Sequence, residues 1–517
     1  MRKAKIHNSY EWLEKMKITE LNENSLSTEE EFVQSLSRQE PGEEYDSSGV
    51  PLYYADGKVY TDNSDAHTLI FGNTGSKKTR NFVIPSVYTM GMAGESMIIS
   101  DPKGEIYCNT SGYLKNRGYS VMVLNLREPE KSSQWNPLML PYEYYRNGKA
   151  DKAVEMVSDL CMQLKLQVHT ERDLFWENQA MDLLTGMILM LFECESDENK
   201  VHMESIQRMR MYIAVENSSD AKSCVFWDFI RTFPDNSIIR YKLASIYNLR
   251  NVEKTLNCVV STLDSMLRCF IFNKKLLNLM SLSNISFKAI AQGKTALYLI
   301  TPDEKKTYHF LVSVFVKQCY ECLIDLAQDR NDSFLPIRIN FILDEFSNFP
   351  RIADMPAMIS AARSRNIRFL LIVQSKQQLL AEYGDDAETI KSNCKNWIYL
   401  SCRELSLLKE IEELCGTCEI DGKQYPLLTI TQLQRLKIGR EDSQALILRS
   451  GTAPFISWVK DFSVYPQAKF GKSCFPETRT VPPSCFSVLK YVHDKLAKEL
   501  DKQEKTGLVS LDGLFDD

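Results

Sequence analysis

From His67 onward, short runs of consecutive apolar residues alternate with stretches of helical period. Thr68-Leu69-Ile70-Phe71, Met97-Ile98-Ile99-Ser100 and Val121-Met122-Val123-Leu124 have the length of strands and no polar alternation, as expected of strands buried on both faces. Between about Tyr142 and Met280 the strands stop. Apolar residues there recur at helical spacing, as in Ala153-Val154-x-x-Val157-x-x-Leu160 and Leu183-Leu184-x-x-Met187-Ile188-x-x-Leu191. Strands resume at Ala296–Ile300, Ile339–Leu343, Phe369–Val373, Trp397–Leu400 and Gln444–Leu448. The pattern predicts an α/β fold whose mostly parallel central sheet is covered on both faces and is split in sequence by an all-α insertion. The expected segments are 1–65, 66–141, 142–280, 281–470 and 471–517. The first is an acidic leader with a short helix near Thr28-Glu29-Glu30-Glu31, then a mobile stretch and a hairpin around Ala55-Asp56-Gly57-Lys58. The last is a charged helix from about Val488 with an acidic tail, Leu508 to Asp517.

Composition narrows this little. The 517 residues exceed one ordinary core, and 44% hydrophobic with 25% charged content marks a globular chain. A net charge of −6 argues against a uniformly basic nucleic-acid coat, although a ring can be acidic outside and basic only along its pore. The longest strongly apolar stretch, Leu183 to Phe192, is about half of the ~20 residues a membrane span needs, and Thr185 and Gly186 interrupt it. The 14 cysteines and the polar start fit a reducing compartment, and the chain is expected to be cytoplasmic. The pairs Cys319/Cys322 and Cys415/Cys418 lie far apart in sequence and read as ordinary thiols rather than a shared zinc site.

The candidate chemistry begins where the first strand ends. Gly72-Asn73-Thr74-Gly75-Ser76-Lys77-Lys78-Thr79 stands between an apolar strand and a helix, the context of a phosphate-binding Walker A loop. Such a loop curls backbone N–H groups round phosphates, sends a lysine (Lys78) to the β- and γ-phosphates and offers a hydroxyl (Thr79) to Mg2+. Lys77 occupies the place of a glycine, so its side chain must point away from the phosphates or into them. The other reading of the loop alone is a strand–turn–helix junction with a chance resemblance.

Asn340-Phe341-Ile342-Leu343-Asp344-Glu345 is an apolar strand ending in two acids. It has the form of a Walker B segment, with Asp344 holding Mg2+ and Glu345 polarising the attacking water; a solvated strand end is the alternative. In a parallel sheet both strand ends fall on the crevice side with the phosphate loop. Gln374, at the tip of the next strand, is either a γ-phosphate sensor or a loop amide. Arg365, or Arg363, is either an arginine finger for a neighbouring subunit's nucleotide or a surface residue.

As a set these segments resemble the TraG/TraD-type conjugative coupling proteins of type IV secretion systems. The likeness rests on the phosphate loop, on Asp101-Pro102-Lys103-Gly104-Glu105, on Val123-Leu124-Asn125-Leu126 with Trp135-Asn136-Pro137-Leu138, on Asp173-Leu174-Phe175-Trp176-Glu177, and on Leu343-Asp344-Glu345-Phe346, Arg363-Ser364-Arg365 and Gln374-Ser375. It spans about residues 66–465. The resemblance implies a RecA-like P-loop NTPase with an inserted all-α domain, using ATP and Mg2+ and assembled as a homo-hexamer. Implied partners are a relaxase with its single-stranded DNA, or effector proteins, and the ATPases of the secretion channel. The family's N-terminal transmembrane helices have no counterpart in this sequence, so either a separate small membrane protein is expected to bring the chain to the inner face of the membrane, or the sequence is a piece of a longer protein. Two other readings stay open: a catalytically weak docking module, because of Lys77, and a chromosome-processing DNA translocase.

Overall fold

The computed structural model describes residues 25–40, 43–167, 174–214, 225–271, 273–302, 304–420, 422–478 and 483–505. The chain divides into two compact units, Met1–Gly94 with Phe369–Lys469, and Glu95–Arg368 with Phe470–Asp517.

In the first unit Thr68–Phe71 pairs in parallel with Ile367–Val373 on one side and Asn396–Tyr399 on the other. Beyond Asn396–Tyr399 the sheet turns antiparallel through Asp442–Arg449 and Phe455–Lys460. All four residues of Thr68–Phe71 are buried, as are all seven of Ile367–Val373, which is why they read as unbroken apolar runs. Phe455–Lys460 alternates buried and half-buried residues, the pattern of a strand with one covered face, yet it was not among the expected strands.

Where it is described, the leader carries a helix and a short strand. Glu29–Gln34 is a helix with a reciprocal capping box between Thr28 and Glu31. Its Phe32 stacks on Phe455 with ring centroids 4.1 Å apart. Ser37–Gln39 pairs antiparallel with Lys58–Asp62, making a third strand beside the expected hairpin. The hairpin turns at Asp56 and Gly57, both at positive φ (49° and 76°), the backbone of a type I′ turn.

In the second unit Ile339–Leu343, Ser96–Ser100, Thr295–Ile300 and Ser120–Asn125 lie side by side in that order, all parallel. Between Asn125 and Thr295 the described residues form helices and loops without a strand. Leu174–Cys194 is the central helix and is buried all round from Leu183 to Phe192, packed by Ala150–Leu166, Ile238–Asn248 and Glu253–Met266. Gly186 is required there, because a Cβ would stand 2.4 Å from Leu243 Cδ2. The apolar run is thus a bundle core, and among the described residues no helix is long and apolar enough to cross a membrane. The C-terminal helix, Val488–Lys505, is docked: Tyr491 meets Phe229 at 5.4 Å, and Lys495 Nζ donates to the Thr232 carbonyl at 3.2 Å. The acidic tail after Lys505 and Asp173 lie outside the described residues.

Candidate nucleotide site

The first unit carries the loop. Parallel pairing sets Phe71 opposite Val373 and Tyr399, so three strand ends stand abreast. The loop is anchored to both neighbours: Gly72 N–H donates to Val373 O at 3.3 Å and Asn73 N–H to Ser401 O at 2.8 Å. Gly72 has no room for a side chain, since a Cβ would lie 2.5 Å from Ser76 Oγ, and Gly75 turns the chain at φ +85°. After Lys78 the backbone enters a π-helical turn, Thr79–Val83, which runs into the α-helix Ile84–Met92 with Pro85 in its first turn. Thr79 therefore opens the helix.

Lys78 is buried, and its ammonium donates to the carbonyls of Gly72 and Asn73, the loop's own first residues. Ser76 Oγ is buried with no hydrogen-bond partner. Gln374 stands beside the loop, 3.4 Å from Thr74 Oγ1. Strand register brings these two residues together although 300 positions separate them.

Lys77 adopts φ +66°, the left-handed conformation a glycine would take without strain. For a side-chain-bearing residue this costs about 1–2 kcal/mol. Its ammonium turns out of the loop and donates to Gly439 O at 2.7 Å and Arg440 O at 2.8 Å, with Asp461 Oδ2 at 4.0 Å. Hydrogen bonds from a charged donor contribute about 1.5–3 kcal/mol each when well shielded. The side chain is 24% exposed, so a fraction of that is enough to offset the backbone strain. Of the two orientations open to Lys77, the structure shows the outward one.

The second unit carries the acids. Asp344 follows Ile339–Leu343; it is buried, its Oδ1 accepts from the Glu345 N–H at 3.0 Å, and its carbonyl accepts from Ser100 Oγ at 2.8 Å. Glu345 sits at φ +54°, which breaks the strand direction, and its Oε2 accepts from Asn348 Nδ2 at 2.7 Å. Asn348 is in turn braced by the His309 ring, whose Nδ1 lies 3.1 Å from its carbonyl oxygen.

Asp101 was quoted as part of a motif but given no role. Ser100 pairs with Leu343 in parallel register, so Asp101 is to its strand what Asp344 is to its own. Burial pushes the Asp101 carboxyl up to about 7, against hydrogen bonds from the Tyr107 and Ile106 N–H groups, and the neighbouring Asp344 charge adds to the rise. Its Oδ2 accepts from Tyr107 N–H at 2.7 Å, while Oδ1 is buried without a partner. The signal was present in the sequence as an acid directly after an apolar strand.

Arg363–Arg365 forms a single 3-10 turn after the helix Met355–Ala362, and Arg365 Nη1 donates to Ser364 Oγ at 2.6 Å. The structure thus brings Gly72–Thr79 together with Gln374 in one unit, and Asp344 and Glu345 together with Asp101 and Asn348 in the other. Cys319 and Cys322 are buried in His309–Gln328, and burial raises both thiols. Among the described residues no group of three or more His, Cys, Asp or Glu side chains is arranged to hold a metal ion.

The loop fits a phosphate chain: a buried lysine on the loop's own carbonyls, a helix opening at Thr79 and an orphaned Ser76 hydroxyl are what anionic oxygens would engage. Asp344, as a buried carboxylate, is a hard oxygen donor of the kind Mg2+ takes.

Residues 14–432 match the family described as type IV secretory system conjugative DNA transfer. No curated protein matches significantly. Among solved structures, the plasmid coupling protein TrwB in complex with ADP and Mg2+ aligns at 14% identity with a TM-score of 0.58, covering 86% of this chain and 96% of that one. TrwB with the non-hydrolysable ATP analogue ADPNP aligns at 13% identity and TM-score 0.54, over 90% and 96% of the two chains. The bacterial conjugative coupling protein TrwBdeltaN70 in its trigonal sulphate form aligns at 15% and 0.53, over 82% and 89%. At these identities the likeness establishes the fold, which is the RecA-like P-loop α/β fold.

Proposed function

The chain belongs to the type IV secretory system conjugative DNA transfer family, and on that premise we propose that it is a coupling-protein ATPase. It recruits relaxase-bound single-stranded DNA, or effector proteins, and drives their transfer with ATP and Mg2+. The observation that carries this reading is the set formed by Lys78 and Thr79, in the loop and helix start after Thr68–Phe71, with Gln374 at the end of the adjoining parallel strand, beside Thr74. The complexes of TrwB with ADP and Mg2+ and with ADPNP support the choice of ligand.

ATP supplies a phosphoryl group whose transfer to water releases the free energy for movement, and Mg2+ neutralises the charge on the phosphates. The loop N–H groups from Gly72 to Thr79 bind the phosphate oxygens, and Lys78 exchanges its two loop carbonyls for them. Were Mg2+ bound, the Thr79 hydroxyl would be a ligand for it from the loop, and the Asp344 carboxylate is an oxygen donor of the kind it takes. Glu345, oriented by Asn348, takes a proton from the attacking water. Gln374 reports the state of the γ-phosphate to the Thr74 side of the loop. Arg365 serves a neighbouring subunit of a homo-hexamer. A small membrane protein brings the ring to the inner membrane face, where it meets the channel ATPases.

The test is nucleotide binding and hydrolysis by the whole chain, with and without single-stranded DNA. DNA-stimulated turnover that disappears in Lys78→Ala is expected. A wild-type chain that binds no nucleotide in Mg2+ refutes the reading.

A further inference from the structure

Lys77 is the one position where the phosphate loop departs from its pattern, and it is also where the loop is fastened to something outside itself. Its acceptors belong to a shaped turn. Gly439 N–H donates to Asp442 O at 2.8 Å, and a Cβ on Gly439 would lie 2.5 Å from that same oxygen, so this turn admits only glycine. Lys437 and Gln444 lock its base through Gln444 N–H to Lys437 O at 2.7 Å and Lys437 N–H to Gln444 Oε1 at 3.0 Å. The carbonyls of Gly439 and Arg440 are thus presented on a rigid support.

A second strut runs to the same place. Arg80, three residues after Lys77, grips Asp461 with two hydrogen bonds of 2.7 Å and lies 4.5 Å over the Phe462 ring. Asp461 N–H donates to Glu441 O at 2.7 Å, which ties that acid to the turn Lys77 reaches. Asp461 is 1% exposed; burial alone would raise its carboxyl, but the hydrogen bonds from Arg80 and Ser463 hold it below the usual range. Between the two struts, Lys77 O accepts the Asn81 N–H at 2.8 Å and so starts the helix that follows the loop.

We propose that Lys77 is a positioning residue for nucleotide binding: its ammonium fastens the left-handed turn of the phosphate loop to the Gly439 and Arg440 carbonyls, holding the loop in its binding shape. The inference rests on the reading of this loop as a nucleotide site. It inverts the account in which the lysine is a defect. Glycine at 77 would reach the same φ without strain but would also sample many other conformations, and it would leave two carbonyls without their cation. Lys77 does not bind phosphate itself, since its donors are engaged on the turn; Lys78 does.

The experiment titrates a fluorescent ADP analogue with Mg2+ onto the full chain and onto Lys77→Gly, Lys77→Ala, Lys77→Met and Lys77→Arg, with Tm measured alongside. Lys77→Gly is expected to weaken Kd about tenfold, the scale of one lost charge-assisted hydrogen bond. Lys77→Ala, which keeps the strain and loses the tether, is expected to be weaker still. Lys77→Arg restores binding to within about threefold, because its guanidinium can span the same carbonyls. Lys77→Met retains the aliphatic stem and therefore serves as the uncharged control if Lys77→Gly proves poorly folded; like Lys77→Ala it keeps the strain and loses the tether, so it should bind at least tenfold more weakly. Nucleotide binding by Lys77→Gly equal to or tighter than wild type, at unchanged Tm, overturns the inference and leaves the site intact. Absence of binding by the wild type overturns the reading of the site and this inference with it.

Discussion

The phosphate loop and the carboxylate pair have opposite electrostatic conditions, each within its own unit. In the loop, every ammonium has oxygen atoms at hand: Lys78 holds the carbonyls of Gly72 and Asn73, and Lys77 those of Gly439 and Arg440. At the carboxylate end, two acids stand on neighbouring strand ends, and one of them, Asp101, is raised to about 7 by burial and by the charge of the other. The loop has lost a residue of its pattern and gained internal partners. The acids have kept their pattern and remain electrostatically uncomfortable. Adherence to a motif is therefore a poor measure of local satisfaction; a functional site is marked more reliably by charge held at some cost.

The largest effects should come from the one residue in each region with no substitute. Lys78→Ala removes the only loop ammonium directed at the loop interior, and is expected to cut ATP turnover by about a thousandfold and nucleotide affinity by at least tenfold. Retained turnover in this variant would remove the loop from the chemistry. Glu345→Gln keeps the shape and the Asn348 contact but cannot take a proton; kcat should fall by about 10²–10³ while Kd for nucleotide holds. A parallel loss of affinity would mean that Glu345 binds rather than polarises water.

Much of this was legible in the sequence, for identifiable reasons. The strands around the loop and the acids are buried on both faces, so each writes itself as an apolar run, and the change to helical period from about Tyr142 marks the helical segment. The Asp56-Gly57 turn is visible because its backbone demands those residue types. Three features were not visible. Ser37–Gln39 is three residues long and too short to carry a period. The hairpin Thr417–Ile420 with Lys423–Pro426 is largely exposed and shows no apolar face. The destination of Lys77 is a pair of backbone carbonyls more than 360 positions away, and a carbonyl has no sequence signature. Asp101, by contrast, could have been read: it follows an apolar strand as Asp344 does.

The comparison sharpens at two further places on a smaller scale. Arg80→Met leaves Asp461 buried with the Ser463 donors and the Lys77 ammonium at 4.0 Å; since that cation remains and Arg80 is 43% exposed, the loss should be about 2 kcal/mol, below the 3–5 typical of wholly buried pairs. Urea unfolding measures it, and no change would show that the strut contributes nothing to the loop's frame. Asp101 gives the opposite sign. Its proton is held more tightly in the folded chain than in the unfolded one, so its contribution to stability is complete below about pH 4 and is lost as pH rises toward 7. Asp101→Asn, which carries no charge, should therefore be more stable than wild type at pH 8 in Mg2+-free buffer, by up to about 4 kcal/mol, and no more stable at pH 4. An Asn variant that is less stable at both values would make Asp101 a structural hydrogen-bond acceptor and nothing more.

The smallest effect is the most selective test of the acid end. The Asn348 side chain donates to the Glu345 carboxylate at 2.7 Å, its backbone N–H donates to the Glu345 carbonyl at 2.8 Å, and its own carbonyl is braced by His309, so its side chain has a fixed place from which to aim the carboxylate. Asn348→Ala deletes the side-chain bond and little else, because Glu345 keeps its left-handed backbone at the end of the strand. One neutral donor to a half-exposed carboxylate contributes about 0.5–1 kcal/mol, which corresponds to a drop in kcat of about threefold. Nucleotide Kd should stay where it is, since the side-chain amide is engaged on the acid. A fall in both quantities would place Asn348 in the frame of the unit. A rise in kcat would reveal that the bond restrains Glu345 from reaching water, making the same contact a brake on hydrolysis instead of an aid to it.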